Sequence, residues 1–145
     1  MHRTITLSEY VKKRNGVALG SPGSMKNMLQ RSLGASSFYL FWQYWNPIWG
    51  YYLSRKIMKP LSNVLPIWLA IIITFSVSGA LHDIAISLVK LEPTIFFTPW
   101  FSLMSLIVIA TKKFGVSYDK YHWLVRASIN VSFITLCLLL TRQYV

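Results

Sequence analysis

His82 and Asn46 are the side chains in this sequence best suited to chemistry, and they stand 36 positions apart. His82 lies in an otherwise apolar stretch, Phe75-Ser-Val-Ser-Gly-Ala-Leu-His82-Asp83. An imidazole that titrates near neutrality can take a proton from a hydroxyl and return it. On a helix, Ser78 and Gly79 fall on the face of His82, four and three residues before it. Small residues there leave a hollow where another helix or a substrate can approach. The same histidine also fits a plainer role, bonding a neighbouring helix. Asp83 points about 100° away on the helix and reads as an interface residue or charge partner. The Asn46 amide both donates and accepts, so it can orient a hydroxyl or hold a carbonyl oxygen. It equally suits a helix cap at the break before Pro47. Arg55, Lys56 and Lys59 form a basic group able to meet phosphates, or to anchor the chain at an interface and set its topology. The one cysteine, Cys137, sits in an apolar run and reads as a small buried hydrophobe, so no disulfide and no cysteine-built metal site is expected.

The elements that must position these groups follow from composition. Of 145 residues, 54% are hydrophobic and 13% charged, with 15 Lys and Arg against 4 Asp and Glu. That apolar content excludes a disordered chain. It also argues against a soluble nucleic-acid binder, which would have to hide too much apolar surface in too small a body. High apolar content with high positive charge fits a membrane protein whose basic residues are segregated from its spans. The expected fold is all-α: an integral membrane helical protein of about three transmembrane helices, with an N-terminal amphipathic helix and an interfacial or re-entrant aromatic segment.

Residues 1–36 read as a basic N-terminal segment without a cleavable signal. Within it, Ser24 is placed to cap a helix that carries Met25, Met28, Leu29 and Leu33 on one face and ends at Gly34. Residues 37–145 read as the membrane domain. Its aromatic segment, 37–53, breaks at Asn46-Pro47, because a helix is disfavoured before proline. Spans are expected at 64–89, 93–110 and 123–140, each near the ~20 residues needed to cross. Basic residues crowd the N-terminal segment and the expected loops 54–63 and 111–122. The positive-inside rule puts all three, and the N-terminus, on the cytoplasmic side, provided residues 37–53 do not cross.

The run Ser37-Phe-Tyr-Leu-Phe-Trp-Gln-Tyr-Trp-Asn46-Pro-Ile-Trp-Gly-Tyr-Tyr-Leu-Ser-Arg-Lys resembles the aromatic Phe-Trp-x-x-Trp-Asn region of the membrane-bound O-acyltransferase family. Phe75-x-x-Ser78-Gly79-x-x-His82-Asp83 is similar to that family's later histidine segment, and the order and spacing agree. The resemblance covers residues 28–90. It implies transfer of an acyl group from acyl-coenzyme A, as co-substrate, to a hydroxyl-bearing acceptor, with no metal and no tightly bound cofactor. His82 would be the general base and Asn46 its positioning partner. Trp42 and Trp45 would pack the mouth of an acyl tunnel, while Arg55, Lys56 and Lys59 would face the coenzyme's phosphates. Family members are longer, with enough spans to wall a tunnel. Three spans do not, which implies a homo-oligomer, a partner membrane subunit beside the lipid bilayer, or a remnant that kept the motif region without activity.

Two other classes compete with an acyltransferase. One is a non-catalytic membrane scaffold or accessory subunit, in which His82 only packs helices. The other is a small proton-coupled transporter with His82 and Asp83 as a relay, a reading that leaves the Asn46-Pro47 segment without a role.

Overall fold

The computed structural model describes residues 3–145, so Met1 and His2 of the basic segment lie outside the described residues. The described residues are helical, without strands. Helix α1, Leu7–Asn15, begins at a reciprocal cap: Glu9 N–H donates to Thr6 Oγ1, and Thr6 N–H donates to Glu9 Oε2 at 2.9 Å. Gly16, at φ +81°, ends it. The hydrophobic pattern gives no hint of this helix, but the Thr6-x-x-Glu9 spacing does.

Helix α2, Ser24–Leu33, occurs where the amphipathic pattern places it, ending at Gly34. Its cap differs from expectation. Gly23, at φ +78°, stands in the cap position, and Ser24 is already helical. The Ser24 hydroxyl instead accepts from Asn15 Nδ2 at 3.0 Å and ties α2 to α1.

The aromatic segment divides at the expected point. Helix α3, Phe38–Tyr44, is capped by Ser37. Helix α4, Pro47–Leu53, is capped by Asn46 and starts on proline, whose missing N–H would have no partner in a first turn. The expected loop 54–63 is instead helical. A π-helical turn, Ser54–Met58, carries α4 into α5, Lys59–Ser62. Pro60 explains the wide turn: it has no N–H to offer the carbonyl four residues back, and its ring would crowd that carbonyl in a regular helix.

Helices α6, Ile67–Lys90, and α8, Trp123–Tyr144, are long and apolar enough to cross a membrane. Buried residues make up 28% of the most apolar stretch of α6 and 17% of that of α8. The core helix of a soluble protein is mostly buried, and these two helices are not. Helix α7, Phe97–Lys113, corrects the expected span at 93–110. It begins later and ends on Lys112 and Lys113, leaving an uncharged stretch of about 22 Å at 1.5 Å per residue, short of a ~30 Å hydrocarbon core. Its late start has a cause in Asp83, described below.

Helices α6 and α7 form an antiparallel hairpin with the most extensive contact in the molecule. Helix α3 seats against them and α8. Phe38, Phe41, Ile71, Met104, Val108 and Cys137 meet in the core, with Ala35 beside them. The short aromatic helix is therefore interior. A second tie fixes α8. The fully buried Asn130 donates through Nδ2 to the carbonyls of Leu33 (2.9 Å) and Ala35 (3.0 Å), and its Oδ1 accepts from the Tyr118 hydroxyl. Burial pushes the Tyr118 hydroxyl up to about 12, so it keeps the proton it donates.

Gly79 is where α6 and α7 touch backbone to backbone. A Cβ there would lie 2.5 Å from the Phe97 carbonyl oxygen and 2.7 Å from Thr98 Cα. Neither atom belongs to a flexible side chain, so the helices must separate to admit a methyl group. Gly79→Ala is expected to cost roughly 1–3 kcal/mol, as overpacking does. Thermal unfolding in detergent checks this. An unchanged melting temperature would mean that the hairpin is not held at this spacing.

Candidate functional site

Helix α6 carries His82 at an exposed position, and the ring is held by its own helix. His82 Nδ1 lies 2.7 Å from the Ser78 carbonyl oxygen. A carbonyl only accepts, so Nδ1 must carry a proton. In the neutral ring, Nε2 is then the unprotonated nitrogen, able to accept a proton. Three aromatic rings flank the exposed imidazole: Phe101 at 5.1 Å and Phe97 at 5.5 Å between centroids, and Trp49 edge-on at 6.4 Å. Trp49 is fixed in turn by its indole N–H, which donates to Ser78 Oγ at 3.0 Å. Ser78 thus orients both rings, one through its carbonyl and one through its hydroxyl.

Asn46 occupies the break between α3 and α4 at φ +41°, an uncommon conformation that asparagine tolerates better than most residues. Its Oδ1 accepts from Trp49 N–H at 3.3 Å, which is the cap that the sequence allows. Its backbone N–H points at Met28 Sδ, 3.3 Å away. The cap uses the amide oxygen and leaves the Nδ2 donors available.

These residues meet in one cavity of about 450 Å³, within the range of small-molecule sites. Asn46, His82, Ser78, Trp42 and Trp45 all line it, together with Trp49, Phe97, Trp100 and Phe101. Its walls come from the short helices α3 and α4 as well as from α6 and α7, with Leu33 and Ile134 contributing from α2 and α8. The lining is almost wholly apolar, with the polar groups few and grouped.

Four sequence-predicted residues stand elsewhere. Gly79 faces α7, so the hollow expected beside the imidazole at that position is filled by the Phe97 backbone. Arg55 donates to the Ile5 carbonyl at 2.9 Å and lies over the Tyr51 ring. Lys56 and Lys59 are exposed. None of the three cations lines the cavity of His82. In the other direction, sequence reasoning missed Trp49, Phe97 and Phe101. The run Phe96-Phe97-x-x-Trp100-Phe101 signals an aromatic face one helical turn deep, but nothing local says which ring it meets.

Asp83, adjacent to His82, is the interface residue its direction suggests. It is buried, and its carboxylate takes four hydrogen bonds from the start of α7. Phe96 N–H and Phe97 N–H donate to Oδ1 at 2.8 Å each. Thr98 N–H and the Thr98 hydroxyl donate to Oδ2 at 2.9 and 2.6 Å. A carboxylate from another helix thus satisfies amides that α7 cannot satisfy itself, at the positive end of its dipole. This fixes where α7 begins and seats Phe97 and Phe101 against His82.

Asp83→Asn replaces one acceptor oxygen by a donor that faces donors. Hydrogen bonds to charged groups are worth roughly 1.5–3 kcal/mol. The substitution is expected to cost at least that range's lower end, about 1.5 kcal/mol, and to speed amide exchange at Phe96–Thr98 before it affects α8. Exchange followed by mass spectrometry distinguishes this from a uniform loss of protection, which would contradict a local capping role. Comparison of the chain with protein-family models, curated proteins and solved structures finds no match.

Proposed function

We propose that this chain is a membrane-embedded acyl-transfer protein of the membrane-bound O-acyltransferase kind, with His82 as general base and Asn46 as its positioning partner. The observation that carries the reading is the meeting of Asn46 and His82 in one apolar cavity, with Nδ1 engaged and Nε2 left to accept a proton. In the proposed reaction, Nε2 takes the proton of an acceptor hydroxyl as its oxygen attacks the thioester carbonyl of an acyl-coenzyme A. A new C–O bond forms. The tetrahedral intermediate collapses with cleavage of the C–S bond, and the imidazolium returns the proton to the departing thiolate. The free Nδ2 donors of Asn46 suit a carbonyl oxygen on which negative charge develops. Trp42, Trp45 and Phe101 provide the apolar lining an acyl chain requires.

Helices α6 and α8 cross the bilayer in this reading, and α7 returns between them from a shorter, partly submerged position. The N-terminus is cytoplasmic. Arg14 of α1 and Lys112 of α7 line one cavity, so cations distant in sequence gather at one end of the helices, as the positive-inside rule asks. Asp83 has both oxygens committed to α7, which disfavours it as a proton relay and so disfavours the transporter. A scaffold remains the competing class, since Ser78, Trp49 and His82 also cement α4 to α6.

The test is acyl transfer from labelled acyl-coenzyme A in membranes containing the protein, beside His82→Ala and Asn46→Ala at equal expression. Loss of the base is expected to slow turnover about 10²–10⁴-fold. Equal background rates from all three proteins would remove the enzyme and leave the scaffold. Labelling of a cysteine at position 56 from the outer face would overturn the proposed orientation.

A further inference from the structure

Behind the wall formed by Trp42 and Phe75 lies a second cavity, of about 350 Å³. It shares Trp42, Gly50, Leu53, Thr74 and Phe75 with the His82 cavity, but reaches toward α1, the π-helical turn and the far end of α7, which the first cavity does not touch. Its chemistry is different too. Arg14 and Lys112 both line it, with Tyr10, Tyr39, Gln43 and Ser54 as further polar groups.

The two cations have no anionic partner. Sequence supplies only four acids, Glu9, Asp83, Glu92 and Asp119, and none lines this cavity. Glu9 pairs with Arg3, Asp83 caps α7, and the Arg3–Glu9 pair is the one salt bridge among the described residues. Arg14 lies over the Tyr10 ring at 5.2 Å and Lys112 over the Tyr39 ring at 4.2 Å. These faces hold the cations in place without neutralising them. The Nε of Arg14 is buried without a hydrogen-bond acceptor, a costly state that an arriving anion would relieve. Two uncompensated cations facing one cavity favour a compact, multiply charged acceptor, and guanidinium and ammonium groups together suit phosphate oxygens.

The remaining lining is apolar. Lys112 stands in the last turn of α7, with Val108 one turn deeper, and Ile67, Ile71 and Met58 complete that side. A ligand that satisfies both parts carries an anionic phosphate head and an apolar tail. We infer that this cavity binds the phosphate group of an anionic amphiphile, with Arg14 and Lys112 as its cationic ligands. This site goes beyond the acyl-transfer reading and does not depend on it. It also differs from the Arg55–Lys56–Lys59 group, whose members stand outside this cavity.

The experiment titrates the detergent-solubilised full chain with dihexanoyl phosphatidic acid, dihexanoyl phosphatidylcholine and inorganic phosphate. Binding is read by calorimetry and by the shift in melting temperature. Phosphatidic acid is expected to bind and to raise the melting temperature, phosphatidylcholine with the same tails to do neither, and inorganic phosphate to bind more weakly. Binding should weaken ~tenfold or more in Arg14→Gln/Lys112→Gln, a change calorimetry resolves. It should persist in Arg14→Lys/Lys112→Arg. If the double glutamine variant does not fold, Lys112→Gln alone carries the comparison, because Lys112 is exposed. Equal binding of the two lipids, or undiminished binding to the glutamine variants, overturns the site. Inorganic phosphate binding as tightly as the lipid overturns the amphiphile and leaves a free phosphate as the ligand.

Discussion

The carboxylate of Asp83 holds this structure's two halves in register. A helix start embedded among apolar side chains leaves amides that neither water nor the helix itself can satisfy. Asp83 answers three of them and a hydroxyl at once. The charge sits at the positive end of α7, and the arrangement fixes both the height and the rotation of α7 against α6. Gly79, one helical turn earlier, then lets the backbones close to contact. Phe97 and Phe101 are placed against His82 as a consequence, so the environment of the imidazole is inherited from a capping interaction one residue away.

A second set of buried polar bonds seats the remaining walls. Asn130 binds the carbonyls at the end of α2, and Tyr118 holds both Asn130 and the Ser36 carbonyl. These bonds fasten α8 and the loop before it to the link that precedes α3. Helix α3 can then enter the core with Phe38 and Phe41 inward, while Trp42 divides the two cavities. Buried amides and hydroxyls of this kind are worth most when every partner is satisfied, and here Asn130 engages both its oxygen and its nitrogen.

Much of this was legible in the residues. The all-helical character, the break at Asn46-Pro47, the long apolar helices and the helix from Ser24 to Leu33 follow from hydrophobic pattern and punctuation. Asn46 and His82 stood out because a polar side chain in an apolar run is costly. Other features were not legible because they arise between elements. The start of α7 depends on Asp83, which lies on another helix, so an apolar run beginning at Pro93 suggested too early a span. Residues 54–63 looked like a loop because Arg55, Lys56 and Lys59 break the apolar pattern, whereas a π-helical turn carries the helix past Pro60 to Ser62. Gly79 looked like a hollow beside His82, but a glycine on a helix face marks close approach without saying by what. The pairing of Arg14 with Lys112 spans nearly a hundred residues, and no local pattern reports it.

The central claim is that the protein presents an unprotonated Nε2 of His82 to an apolar cavity. Nitrogen-15 spectra of histidine-labelled protein, with His82→Gln to assign the signal, read this directly at a pH where the ring is neutral. The account predicts a protonated Nδ1 and an unprotonated Nε2, with the Nε2 signal shifting when a hydroxyl-bearing ligand occupies the cavity. A neutral ring protonated on Nε2 would contradict it, because the bond to Ser78 would then be absent and the cavity would meet a donor where the proposed chemistry requires a base.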